Sequence, residues 1–190
     1  AGSCGFNNAI EVIFKVAVLA LKDPKIATLV KFIIVGDGPA LHDLKKCAPS
    51  NLEMKGKLSK LETIKVLSNS DIAFFSVRKV AKGDLKKDSL SNKYFDFLGA
   101  GLPIVAGVVK DGEMAREIIE NGCGLIAEPE DIDGCYNALK KLILSVELRD
   151  QMASSSRNLA LKYSRKEQSR VFVTLIEKVF ENHDLKDARG

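Results

Sequence analysis

The 190-residue chain has no tryptophan, two histidines and five prolines, and its four cysteines form no C-x-x-C pair. With so few histidines and cysteines standing at 4, 47, 123 and 135, the spacing argues against a zinc site. Nor does it resemble a secreted disulfide framework, so the thiols read as buried and free in a reducing cytosol. No apolar run is long enough to span a bilayer; the longest, Val16 to Leu21, falls far short. No signal peptide is visible, and no initiating methionine, since the chain opens on Ala1-Gly-Ser3. No cationic run exists either: the net charge of +4 is spread along the sequence, so charge alone does not call for nucleic acid. There is no complete G-x-G-x-x-G, and neither His42 nor His183 stands at a telling distance from a serine or cysteine.

What is present is alternation. The 46% apolar composition is enough for one sizeable core. Short apolar segments at 32–35, 52–54, 72–77, 103–106 and 124–127 read as strands, and helical patterns lie between them. A first helix is expected over 7–22, with Ile10, Phe14, Ala17, Val18 and Leu21 on one face. Others are expected over 40–47, from the capping box Ser59-Lys-Leu-Glu62 to 68, and over 92–100, 112–121, 131–144, 148–162 and 165–180. Strands apolar on both faces and alternating with helices predict a parallel sheet covered on both sides. The expectation is one domain over 1–190, a Rossmann-like doubly wound α/β sheet with a helical C-terminal tail.

In such sheets ligands bind beyond the carboxyl ends of the strands, so the loops there hold the candidates. Gly36-Asp37-Gly38 lets a backbone approach a ligand, or simply makes a tight turn with Asp37 as local cap. Lys57 is placed to reach a base or phosphate, or to stand solvated. Glu113 opens a helix, where it either touches a sugar hydroxyl or complements the helix dipole. Gly99, Gly101 and Pro103 read as turn geometry alone.

The richest segment is Asp88 to Gly107, DSLSNKYFDFLGAGLPIVAG. Ser91, Asn92 and Lys93 fall at a helix start, where free N–H groups and a partial positive charge suit a phosphate. Asp96, one turn on, can accept hydrogen bonds from a ribose diol. Lys93 is oddly placed for a structural role, because the dipole disfavours a cation in the first turn. A bound anion resolves that misfit.

Gly36-Asp-Gly-Pro39, Asn51-Leu-Glu-Met-Lys-Gly56, Ser70-Asp-Ile-Ala-Phe74, Ser91-Asn-Lys93, Asp96-Phe-Leu-Gly-Ala-Gly-Leu-Pro103 and Gly122-Cys-Gly-Leu125 together resemble the C-terminal domain of retaining, nucleotide-sugar-dependent GT-B glycosyltransferases, the glycosyl transferases group 1 or family 4. The order and spacing hold over nearly the whole chain. The Ser-Asn-Lys form is similar to enzymes of bacterial surface-polysaccharide synthesis.

The resemblance implies site roles. The second acid of the family's Glu-x7-Glu motif, which binds the ribose, matches Asp96; the first, near the donor sugar, matches Asp88. Both are one methylene shorter here. Ser91 to Lys93 match the segment that receives the diphosphate, and Lys57 and Leu58 the loop beside the base. Ala1-Gly-Ser3 resembles the end of the first strand and its phosphate-facing loop, with Ser3 facing the phosphates and the strand placed before residue 1. The arginine and lysine that many members carry in that region are absent, so phosphate binding is expected to lean on Lys93 and backbone amides, with Lys93 and Asp88 the catalytic candidates. The family implies a UDP-sugar donor, no cofactor and no obligatory metal. It also implies an acceptor glycan or lipid-linked sugar held by an N-terminal domain outside this chain, without which the chain is expected to be inactive. The setting implied is cytoplasmic, with peripheral attachment to the inner face of the membrane left open. The alternatives are an NAD-dependent oxidoreductase or epimerase domain, which needs the third glycine that is missing, and a non-enzymatic nucleotide-binding module.

Overall fold

The computed structural model describes residues 8–79 and 90–187. Eight helices and five strands alternate in it, with one short 3-10 turn, Lys45–Cys47, after the second helix. The helices are α1 (Ile10–Lys22), α2 (Ala40–Leu44), α3 (Lys60–Ser68), α4 (Asn92–Gly99), α5 (Glu113–Glu120), α6 (Ile132–Leu144), α7 (Val146–Lys162) and α8 (Arg165–Asp187). The strands are β1 (Phe32–Val35), β2 (Leu52–Gly56), β3 (Ala73–Ser76), β4 (Ile104–Gly107) and β5 (Gly124–Ala127). Every expected element is found within a few residues, apart from α8, which runs on to Asp187.

All strand pairs are parallel. They form two sections: β1 with β2, and β3-β4-β5 with β4 in the middle. Asn8 forms an antiparallel bridge with Val77, just past β3, and the Ala9 N–H donates to the Ser76 carbonyl at 3.1 Å. Every residue of β4 is buried. Because successive side chains point to opposite faces, the three paired strands divide their apolar residues cleanly. Phe74, Val105, Leu125 and Ala127 join one core with α1 and α6. Ala73, Phe75, Ile104, Ala106 and Ile126 join another with α4, α5 and α7. Helices therefore cover both faces, as the doubly wound reading requires.

The helix starts follow their local chemistry. Ser59 and Glu62 close the expected capping box, with Glu62 Oε2 accepting from the Ser59 N–H at 2.8 Å. Asp131 Oδ1 accepts from the Gly134 N–H at 2.9 Å and opens α6. The expected face of α1 needs revision. Val12, Val16 and Ala20 are buried along with Ile10, Phe14 and Ala17, whereas Val18 is exposed. The cause is that α1 is enclosed from several sides, touching α2, β3 and α6, so no single stripe describes it. Far from the strand ends, the Asp23 carboxylate after α1 accepts from Tyr136 Oη at 2.5 Å and from Lys140 Nζ. The Lys140 ammonium, then Tyr136 and the Lys25 N–H, hold that carboxyl well below the usual range.

Two measurements check this packing. A Cβ at Gly124 would overlap the Ile104 carbonyl oxygen of the central strand, so Gly124→Ala is expected to destabilise by about 1–3 kcal/mol or more in denaturant titration. A lowered carboxyl pKa contributes stability above the ordinary value and loses it as pH falls through the lowered one. The melting-temperature gap between wild type and Asp23→Asn should therefore be widest near neutral pH and narrow below about pH 4.

Candidate functional site

Parallel pairing sends every strand-to-helix loop to one edge of its sheet section. On the β1-β2 section, β1 ends in Gly36, whose φ of 136° lies in the region open to glycine. The Gly36 N–H donates to the Gly56 carbonyl at 2.8 Å, which joins the ends of β1 and β2. The Gly38 N–H donates to Asp37 Oδ1 at 2.8 Å, the local cap expected of that turn. Lys57 follows, exposed, and Leu58 is half-buried. Gly36, Gly38, Lys57 and Leu58 thus form one group.

The second group gathers at the end of β3. Ser91 is the N-cap of α4, with extended backbone. Its side chain caps nothing, and its Oγ is buried without a hydrogen-bond partner. Buried hydroxyls are nearly always paired, so an orphan at a helix start is the place where an incoming oxygen would be received. Asn92 is exposed. Lys93 is half-buried: its Nζ donates to Asn8 Oδ1 and lies 5.5 Å from the centre of the Phe75 ring. Asp96 stands exposed one turn further on. Asp88 and Ser3 lie outside the described residues.

Below α4 the titratable groups serve the core. Tyr94 is fully buried, with its Oη 3.9 Å from Cys123 Sγ. Burial pushes both the Tyr94 phenol and the Cys123 thiol up. Burial also pushes the Cys135 thiol up to about 12, so all three stay neutral at physiological pH. Among the described residues no cluster of three or more His, Cys, Asp or Glu could hold a metal ion.

At the end of β4, Gly112 caps α5 and Glu113 opens it, exposed. After β5 comes a residue the sequence did not single out. Glu130 is a non-glycine with φ of 61°, in the left-handed region. Its carboxylate meets Arg78 Nη1 at 3.0 Å and accepts from the Lys79 N–H at 2.9 Å. Arg78 Nη1 also pairs with Glu11 of α1. Glu11 and Glu130 were missed because their partners are distant in sequence, whereas Asn8 and Arg78 lie in strand-end loops, where candidates are expected, without being singled out.

A helix start such as that of α4 is suited to receive an anion. Ser91, with its orphan hydroxyl, and Lys93 both belong to the start of α4, and an exposed carboxylate, Asp96, follows one turn along the same helix.

Residues 4–145 match the family model described as "Glycosyl transferases group 1", which is more than half of the chain. No curated protein matches by sequence. Among solved structures, WaaG, a glycosyltransferase involved in lipopolysaccharide biosynthesis, aligns with a TM-score of 0.62 at 18% identity, over 84% of this chain and 41% of its own. TarM of S. aureus, in complex with fondaparinux, α-GlcNAc-glycerol and UDP, aligns with a TM-score of 0.70 at 20% identity, over 92% of this chain and 34% of its own. The C-terminal domain of a glycosyl transferase group 1 family protein from Francisella tularensis aligns with a TM-score of 0.68 at 18% identity, over 87% of this chain and 84% of that domain. The chain thus spans less than half the length of WaaG and TarM, and most of the isolated domain. No helix among the described residues is long and apolar enough to cross a membrane. The chain belongs to the glycosyl transferases group 1.

Proposed function

We propose that this chain is the donor-binding part of a glycosyltransferase that takes a sugar from a nucleoside diphosphate sugar, with UDP as the nucleotide. The observation that carries the reading is the start of α4, where the Lys93 ammonium, the orphan Ser91 hydroxyl and the helix N–H groups meet. Two phosphates carry their charge on oxygens, and such a spot offers them a cation, a dipole end and a donor hydroxyl together. Asp96, exposed one turn along, is the acceptor for the ribose diol. Lys57 and Leu58, after β2, are the walls for the base, and the Gly36 to Gly38 turn lets the backbone approach. Asp88, by the family resemblance, belongs near the donor sugar, and Ser3 near the phosphates.

The chemical logic follows from charge. As the bond from the anomeric carbon to the diphosphate breaks, negative charge grows on the departing oxygen. Groups fixed in advance to meet that charge stabilise the transition state more than the bound donor. Lys93 is fixed in this way by Asn8 and Phe75. The resemblance supports transfer with retention of configuration, a role in surface-polysaccharide or glycoconjugate synthesis, and an acceptor glycan or lipid-linked sugar presented by a further domain. It also supports a cytoplasmic setting in which any membrane contact comes through that domain.

Titration of the folded chain with UDP, by calorimetry or NMR, is expected to show a dissociation constant of roughly 1 mM or tighter, with shifts at 91–96. Silence at millimolar UDP and GDP would defeat the reading. Asp96→Ala is expected to weaken UDP binding about tenfold, the scale of a hydrogen-bonded pair to a charged group, and to leave inorganic phosphate binding nearly unchanged. Lys93→Ala should weaken both.

A further inference from the structure

We propose that Glu130 is a positioning residue for Lys93: through Arg78 and the start of α1, it fixes where the ammonium stands at the N-terminus of α4. The inference rests on the donor-site reading only for its consequence in nucleotide binding.

Three segments far apart in sequence meet at the end of β3. From the β5–α6 loop, Glu130 grips the Arg78 guanidinium at 3.0 Å and the Lys79 N–H at 2.9 Å. Its own N–H reaches Ser76 Oγ at 3.4 Å. From α1, Glu11 takes the same Arg78 nitrogen. The turn just before α1 is hydrogen-bonded to β3 through Ala9 and Ser76, and it carries Asn8, whose side-chain oxygen receives Lys93. Phe75, the residue before Ser76, supplies the ring face beneath that ammonium. Asn8 and Phe75, which both touch the Lys93 ammonium, therefore stand on segments that the Glu130–Arg78–Glu11 bridge ties together.

Two features set this bridge apart from an ordinary surface ion pair. The side chains of Arg78, Glu11 and Glu130 are only 25%, 28% and 30% exposed, and one guanidinium nitrogen serves both acids. Glu130 also holds a backbone conformation that glycine would adopt without cost, and such a residue persists where its surroundings over-determine it. The side chain is what a glycine there would lack. A glutamate in that place links the β5 edge to the root of the segment leading into α4.

The test compares the full 190-residue chain with Glu130→Gly, Glu130→Asn and Glu130→Gln. Glycine and asparagine both accept the left-handed backbone, and neither reaches Arg78. Glutamine keeps the length and the acceptor oxygen. Trace acetylation with acetic anhydride, read peptide by peptide in mass spectra, reports how each lysine is held, with Lys140 on its distant Asp23 as the internal reference. Lys93 is expected to acetylate about threefold faster in the Gly and Asn variants, the scale of one partly buried ion pair. Gln should restore most of the protection, Lys140 should not change, and thermal melts should show all variants folded. UDP affinity should fall by about the same threefold factor in the Gly and Asn variants and recover in Gln. Lys93 labelling equal in all four proteins overturns the proposal. If wild type binds no UDP, the donor reading falls, and the labelling still decides the role of Glu130.

Discussion

Everything at the candidate site depends on the common direction of the strands. Parallel pairing of β3, β4 and β5 leaves every chain exit on the same edge, and β4 in the middle, buried on both faces, keeps its neighbours in register. That burial is possible only because the strands approach closely. Gly124 sits where any side chain would strike the Ile104 carbonyl, and Gly107 where one would strike Ser76. Space given up at these two glycines lets helices lie on both faces. One result is that α4 begins beside the end of β3 with its free N–H groups at the binding edge.

A helix start that receives anions has an electrostatic cost when empty. Lys93 in the first turn is opposed by the dipole. The fold offsets this by giving the ammonium an amide oxygen and an aromatic face rather than a surface free to wander. Asp96 stands exposed one turn along the same helix.

Most of the architecture was legible because its causes are local. Short apolar runs flanked by glycine and proline marked the strands, and the Ser59–Glu62 box and Asp131 marked helix starts by hydrogen bonds that span three residues. The start of α4 was legible for the same reason, since a dipole misfit is visible within one turn. The rest was set by partners the chain brings in from elsewhere. Asn8 meets Lys93 across 85 positions, and Arg78 meets Glu130 across 52. The buried face of α1 was misjudged because three elements enclose it, and no periodicity encodes an enclosure. In α8 the helix was visible, yet Phe172, Leu175, Val179 and Phe180 stay exposed, a feature of its surroundings rather than of its own pattern.

Glu130 shows how such long-range terms shape a site. A non-glycine in the left-handed region costs on the order of 1 kcal/mol, and isolated exposed ion pairs contribute about that much at best. A single surface pair would therefore barely balance the strain. The carboxylate of Glu130 does more: it accepts a backbone N–H and shares a guanidinium with Glu11 in a partly buried setting, where removing it leaves the Lys79 N–H without this acceptor and the guanidinium with one acid fewer. The balance thus favours glutamate only if the segments it joins must be held together. Those segments carry Asn8 and Phe75, which hold Lys93, so the strain at the end of β5 and the placement of a cation at the start of α4 belong to one mechanical unit.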